Sequence, residues 1–533
     1  MTIQEFIDRI VSRFGFTPTV DQQVALQVFA RFLADREPNV VMILRGSAGT
    51  GKTSLASAMV LTLRSLGQKL VLMAPTGRAA KVFSQSCGMP AYTIHRTIYR
   101  EKSYTGLGGI FDINFNKYHN ALFVADEASM ISGMPSFGES GGGCFGSGSL
   151  LDDLMQYVYS GQGCRLLLIG DKAQLPPVGE AESPALSAEV LAGYNMRVYQ
   201  CDLNEVLRQG GRSGILYNAT AIRNMITHDE LTQLPKIKLK SFADIVMVPG
   251  NELIESLQTS YNSVGEDDTL VITRSNKRSN IYNQGIRNSI LDREEALCGG
   301  DMLMVVKNKY APTPGPSPSG RGAPSRKGII SPSPSVSGAA LPSAFSYLSN
   351  SSYSSDSISR KGALSPLPEG EGSGVGAFIA NGDRCIVRRV RHFEELYGFH
   401  FAEAVLQFPD LEGFEFDTTV IMDTLTSESP SLTREQNETL YNNVMEDYQD
   451  VPLKADRMKA LRQDRYYNAL QVKFAYAVTC HKAQGGQWRH VYIDQGYMTD
   501  DMLTPDYIHW LYTAFTRATD KLFLVNWPKT QVE

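Results

Sequence analysis

Eight residues constrain this chain more than any others: GSAGTGKT, Gly46 to Thr53. They follow the apolar run NVVMILRG and open a stretch with helical spacing, so the glycines fall between the end of a buried strand and the start of a helix. A glycine-rich turn in that place leaves backbone N–H groups free to wrap a polyanion, with the positive end of the helix behind them. Gly46, Ser47, Ala48, Gly49, Thr50 and Gly51 then form a phosphate cradle, Lys52 reaches the β and γ phosphates of a nucleotide, and Thr53 holds Mg²⁺. A strand ending in such a loop belongs to a parallel sheet covered by helices on both faces.

The rest of the chain supplies the neighbours that such a strand needs. KLVLMAPTG, ALFVADEAS and RLLLIGDKAQ read as further buried parallel strands, each ending in a polar or glycine-bearing loop. A second set, DTLVITRS, QVKFAYAVTCHKAQG, HVYIDQG and KLFLVNW, predicts a second α/β lobe. Between its pieces, NGDRCIVRRV and FEFDTTVIMDTL read as strands of a small β domain, and residues 431–470 as a mixed-charge helical excursion. The expected organisation is a first lobe over 1–210, with a short hairpin at about 97–120, and the first part of a second lobe over 211–300. An inserted, barrel-like β domain follows over 301–470, and the second lobe is completed over 471–533.

The tract from 311 to 377 differs in kind: 18 Ser, 10 Pro and 10 Gly leave too few apolar groups for a core, and disorder is expected. Its two ends, Pro316–Arg321 and Leu367–Gly372, can be read as translations of complementary strands of one inverted DNA repeat, as an in-frame mobile element leaves.

Asp126 and Glu127 in LFVADEAS stand just past an apolar strand, where one carboxylate can hold the metal and its neighbour can activate water as general base. Composition narrows the partners. A net charge of −5 gives no overall attraction to phosphate backbones, so nucleic acid must bind in a local groove. No apolar window approaches the roughly 18 residues of a membrane span, and the expected location is cytoplasmic. Seven scattered cysteines without a C-x-x-C pair suggest neither a disulfide framework nor a zinc site.

Seven further stretches carry a resemblance: TVDQQ, APTGRAA, TIHR, GDKAQLPPVG, LNEVLRQ, AVTCHKAQGGQW and YTAFTRAT. In this order and spacing they resemble the motifs of superfamily one DNA helicases, specifically the RecD-like, 5′-to-3′ branch. The resemblance implies two RecA-like lobes with ATP and Mg²⁺ between them and single-stranded DNA lying across both. Gln22 would read the adenine edge, and Gln174 would link the γ-phosphate to the DNA groove. Arg208 and Arg517 would reach across the lobe interface to the γ-phosphate. Thr76, Arg78, Thr93, His95, Thr479, His481 and Lys482 would touch single-stranded DNA. Gln487 departs from the pattern, standing where many relatives carry a glutamate near the ribose.

Outside those motifs, TRSNKRSNIYNQGIR offers Arg274, Lys277, Arg278 and Tyr282, either to hold phosphates and stack a base or as a solvated helix face. The activity implied is that of an ATP-dependent DNA helicase or translocase acting as a monomer on single-stranded and tailed duplex DNA. Repair or recombination proteins are candidate partners. An RNA helicase of the same superfamily, or a nucleotide-gated DNA-binding ATPase that does not unwind, are the alternatives.

Overall fold

The computed structural model describes residues 2–104, 109–135, 144–205, 213–228, 234–311, 377–411, 413–499 and 502–533. Its contacts separate Met1–Lys309 with Phe378–Glu533 from Tyr310–Ala377. In the latter unit the described residues are only the ends of two short strands, Lys309–Ala311 and Ala377–Ile379. The disorder expected between them lies outside the described residues.

In the first lobe, β1 (Val40–Gly46), β2 (Lys69–Ala74), β3 (Ala91–Thr93), β4 (Ala121–Ala125), β5 (Arg165–Gly170) and β6 (Arg197–Leu203) form one parallel sheet, ordered β3-β2-β4-β5-β1-β6. Val40 to Leu44 are all fully buried because helices cover both faces of the sheet. Met42 and Leu44 pack with residues of α1 (Ile3–Phe14), α2 (Val20–Ala34) and α3 (Lys52–Ser65), while Val41 and Ile43 pack with Leu151 and Leu154 on the other side. Helix α1 shows how local chemistry sets an element's limits. Thr2 and Glu5 form a reciprocal capping box at its start, Phe6, Ile10 and Phe14 line its buried side, and Gly15 ends it at φ 74°. The predicted hairpin is present as antiparallel strands Tyr99–Tyr104 and Gly109–Ile113.

The second lobe begins with helix α5 (Gly214–Thr227), β7 (Ile245–Val248) and β8 (Thr269–Thr273). The chain then leaves to build a closed barrel from β9 (Met302–Val305), β10 (Arg384–Leu396), β11 (Phe399–Phe408), β12 (Phe414–Ile421) and β13 (Leu470–Phe474). It returns through β14 (Ala477–Thr479), β15 (Trp488–Asp494), helix α6 (Pro505–Phe515) and β16 (Ala518–Val525). The lobe's sheet is parallel and ordered β7-β16-β15-β8-β14. Helices Arg434–Glu446 and Lys454–Gln463 form the excursion, and Leu440, Val444 and Leu461 cover Phe399, Phe401 and Ile421 of the barrel.

One boundary differs from the reading of the sequence. QVKFAYAV looks like a single strand of the second lobe, yet it divides: Leu470–Phe474 closes the barrel, and Ala477–Thr479 joins the lobe's sheet. The junction is fastened on both sides. Ala475 N–H donates to Met302 O in the barrel, and Tyr476 O accepts from Val271 N–H in the lobe. The barrel therefore runs past 470, to Phe474.

Two parallel α/β lobes with an inserted barrel are thus assembled so that the loops after β1, β4 and β5 gather at one end of the first sheet. Open α/β sheets bind ligands there, beyond the carboxyl ends of their strands.

Candidate functional site

The loop after β1 has the shape its residues demand. An ideal Cβ on Gly46 would lie 2.8 Å from Lys52 Cγ, 2.8 Å from Thr50 Oγ1 and 3.0 Å from Leu203 Cβ, so only glycine admits this turn. Lys52 opens α3, and its ammonium donates to the carbonyls of Gly46 and Ser47 and sits 3.9 Å from Asp171 Oδ2. Gln22 makes one bond at each end of its amide: the oxygen accepts from Thr19 N–H as a helix cap, and the NH₂ donates to Thr50 O at 3.0 Å, leaving one donor over.

At the end of β4, Asp126 and Glu127 stand side by side. Asp126 is buried, and burial together with the neighbouring Glu127 charge pushes its carboxyl up to about 7, against the opposing Glu127 N–H bond and the Lys52 charge. Glu127 adopts φ 52°. A left-handed glutamate stores backbone strain that persists only where the surroundings enforce it. Both carboxylates line a cleft of about 490 Å³ together with Thr53, Ser54, Gln487 and Arg517. Two carboxylates repelling one another beside a threonine hydroxyl suit a divalent cation, whose charge relieves that repulsion.

Arg517, from the second lobe, is 3% exposed and, among the described residues, donates only to neutral acceptors: Thr513 O, Gly486 O and Thr516 Oγ1. Gln174 is buried as well, and its amide oxygen has no hydrogen-bond partner among the described residues. Arg208 lies outside the described residues.

The structure adds residues that the motifs did not single out. Tyr512 on α6 accepts from Ala48 N–H at 3.0 Å and donates to Asp171 Oδ2 at 2.7 Å, tying the phosphate cradle to the loop after β5. Burial and the Asp171 charge hold this phenol well above its ordinary range, so it stays a donor. The loop is fastened further. Leu175 N–H donates to Thr513 Oγ1 at 2.8 Å, Gln484 donates to Leu175 O at 2.8 Å, and His509 Nδ1 lies 3.0 Å from Ala173 O. From α5, Arg223 donates to Ser47 Oγ at 3.0 Å and to Asn204 Oδ1 at 2.5 Å. Asp171 and Tyr512 were within the quoted motifs; Arg223 had no local signal at all.

The residues expected at DNA are distributed unevenly. Thr76 caps α4 (Gly77–Cys87) by accepting from Ala79 N–H, and Thr93 caps the short helix Ile94–Ile98 by accepting from Arg96 N–H. Arg78 stacks 4.1 Å over Trp488 and donates to Gln487 O at 2.9 Å, which makes it a bridge between the lobes. His95 packs its ring among Tyr99 and Phe145, and burial pushes it down to about 4, so it is neutral at physiological pH. Thr479 precedes the turn Cys480–Ala483, which carries His481 and Lys482. Burial and the nearby Lys473 push Lys482 down to about 8. Of the second-lobe cluster, Arg278 and Tyr282 both converge on Asp494 Oδ2, at 2.7 and 2.6 Å. Lys277 pairs with Glu428 at 3.6 Å, and Arg274 lies over Tyr507.

The barrel reaches this end of the first lobe too. Gly77 opens α4 with Asp383 against it, so that a Cβ there would come within 1.9 Å of Asp383 Oδ1. Lys81, one turn along α4, pairs with Asp410 at 2.5 Å. Burial pushes the Asp383 carboxyl up to about 7.

Comparisons with known proteins fall on the same parts of the chain. Residues 474–525 match the UvrD-like helicase C-terminal domain, and residues 21–135 match an AAA domain. The chain is 30% identical over 181 residues to the ATP-dependent RecD2 DNA helicase of Deinococcus radiodurans, covering 34% of this chain and 21% of that protein. It is 26% identical over 300 residues to the ATP-dependent DNA helicase dda of Enterobacteria phage T4, covering 54% and 60%. The chain thus spans less than two thirds of the length of these relatives. A solved structure of a Bacteroides Pif1 helicase with ADP-AlF3 and single-stranded DNA is similar at 13% identity and a TM-score of 0.44, covering 97% of this chain and 94% of that one. Among the described residues, no helix is long and apolar enough to cross a membrane, and no cluster of three or more His, Cys, Asp or Glu is arranged to hold a metal.

Proposed function

We propose that this chain, whose matched segments support a superfamily one helicase of the RecD-like kind, is an ATP-driven motor that moves 5′ to 3′ on single-stranded DNA and separates the strands of tailed duplexes. One observation carries the reading. Thr53, Asp126 and Glu127 from the first lobe and Arg517 from the second line a single cleft beside the phosphate cradle.

In this reading the cradle amides and Lys52 hold the ATP phosphates, and Glu127 takes a proton from the attacking water. Thr53 and Asp126 hold Mg²⁺, which screens the phosphate charge when bound. Arg517 sits across the lobe boundary with only neutral partners, ready to meet the negative charge that spreads over the γ-phosphoryl oxygens. Tyr512 and the Asp171–Leu175 loop connect that boundary to α6, the helix that leads to Arg517. Loss of the γ-phosphate then alters the grip of one lobe on the other, which converts hydrolysis into relative movement. Thr76, Thr93, Thr479, His481 and Lys482 are proposed to face the strand; Arg78 and His95, as placed, act on it through the lobe contact and through packing.

Strand displacement with ATP on 5′-tailed and 3′-tailed DNA duplexes, with RNA duplexes alongside, tests the reading. Displacement of the 5′-tailed DNA alone supports it. Hydrolysis without displacement on any substrate would replace it with a nucleotide-gated DNA-binding ATPase.

A further inference from the structure

Arg223 is a cation without a counter-charge in a place built for anions. It projects from α5, which packs against α6 in the second lobe, and donates to Ser47 Oγ and Asn204 Oδ1. Both acceptors are neutral, and Arg223 makes no ion pair among the described residues. A half-buried guanidinium loses solvation, and a hydroxyl and an amide oxygen return less than a carboxylate or phosphate would. Two interior arginines of the chain show what such a pairing looks like: Arg287 meets Asp301 at 3.0 Å, and Arg384 meets Asp267 at 2.8 Å. Arg223, like Arg517 at the nucleotide cleft, has no carboxylate partner among the described residues.

The acceptor also points to a ligand. Ser47 is the second residue of the phosphate cradle, next to Ala48, whose N–H is held by Tyr512. Arg223 and Tyr512 come from the packed pair α5 and α6, so the second lobe grips consecutive cradle residues with two side chains. Arg517 approaches from a different side, among Thr53, Asp126 and Glu127.

We propose that Arg223 is a second-lobe ligand of the nucleotide's phosphates, reaching across the lobe boundary at Ser47 to supply positive charge when the transferring phosphoryl group becomes most anionic. This rests on the reading that the cradle holds ATP. A planar, permanently charged donor fork suits a phosphoryl group better than a lone hydroxyl, and its value lies in the transition state more than in the ground state.

The test is equilibrium binding to the full chain, without DNA, of fluorescent ADP alone and of fluorescent ADP with Mg²⁺ and aluminium fluoride, which mimics the transferring phosphoryl group. Arg223→Gln is expected to bind ADP within threefold of the wild type and to bind the fluoride complex at least tenfold more weakly, with Arg223→Lys recovering part of the difference. Equal weakening of both ligands, or no weakening of either, overturns the proposal. Should Arg223→Gln fail to fold, Arg223→Lys alone decides, since it keeps the charge and loses the fork. A wild-type chain that binds the fluoride complex through Arg223 but unwinds nothing overturns the motor reading and leaves this one standing.

Discussion

Replacing residues 312–376 with four Gly and Ser residues should tighten the barrel and leave the proposed ATP hydrolysis unchanged. The chain leaves and re-enters the barrel at one point. Val305 N–H donates to Asp383 O and Gly382 N–H donates back to Val305 O, both at 2.9 Å, while Asn381 N–H donates to Asn308 Oδ1 at 2.6 Å. Native hydrogen bonds thus close a loop of roughly 70 residues, which the replacement shortens to about 11. At about 0.6 kcal/mol per doubling of loop length, the two to three doublings removed are worth ~1.5 kcal/mol, or about tenfold in the opening equilibrium of the barrel. Amide hydrogen exchange reads this directly. The Val305, Gly382 and Val387 amides, bonded where β9 and β10 and the residues leading into them meet, should exchange about tenfold more slowly, while Met42 and Ile43 in β1 keep their rates. DNA-stimulated ATP hydrolysis should stay within about twofold. Faster exchange in the barrel, or a tenfold loss of hydrolysis in a variant with a native exchange pattern, would refute the reasoning and make the tract a working part.

Glu127→Gln should abolish DNA-stimulated hydrolysis, at least a hundredfold, with ATP binding retained, whereas Lys52→Ala should lose hydrolysis and binding together; steady-state rates beside nucleotide titrations separate the two. Tyr512→Phe keeps the ring and strands both Ala48 N–H and Asp171 Oδ2, a cost of ~1–3 kcal/mol to the lobe contact, so DNA stimulation should fall at least fivefold while ADP affinity is unchanged. Asp383 titrates near 7 in the folded chain against 3.8 ordinarily, so its ionisation costs stability that is absent below pH 4, grows as pH rises to 7 and is constant above, at most about 4 kcal/mol. The stability gained by Asp383→Asn, followed by urea unfolding of the barrel, should therefore widen from pH 4.5 to pH 7.5; a gain independent of pH would show that the carboxyl is not the cause.

What could be read in advance follows a physical division. The strand, turn and helix around Gly46–Thr53 were legible because strand, glycines and helix start are contiguous, and the backbone geometry they need is a property of that stretch alone. The position of Asp126 and Glu127 just past β4 was legible for the same reason, as the end of one apolar run. QVKFAYAV was not, because alternation and β-branching report a strand without reporting which sheet it joins, and here Leu470–Phe474 pairs with the barrel and Ala477–Thr479 with the lobe. Residue type likewise reported charge without reporting its partner. Arg278 and Tyr282 could be read as holding a phosphate and a base or as a solvated helix face, and neither reading reported that both bond Asp494, more than 200 positions away.

The same limit explains why the coupling between the lobes was the part most hidden. Ser47 and Ala48 were read as cradle residues from their neighbours in sequence, yet what distinguishes them in the folded chain is contact with Arg223 and Tyr512, separated from them by 176 and 464 positions. Those two contacts share the α5–α6 pair, so two packed helices of the second lobe hold adjacent cradle residues, and α6 leads directly into Arg517. Chemistry in this protein is specified locally, by one turn and one pair of acids. Its transmission is specified by pairings that exist only once the two lobes have met, which is why Tyr512→Phe and Arg223→Gln should uncouple the site while leaving the cradle itself intact.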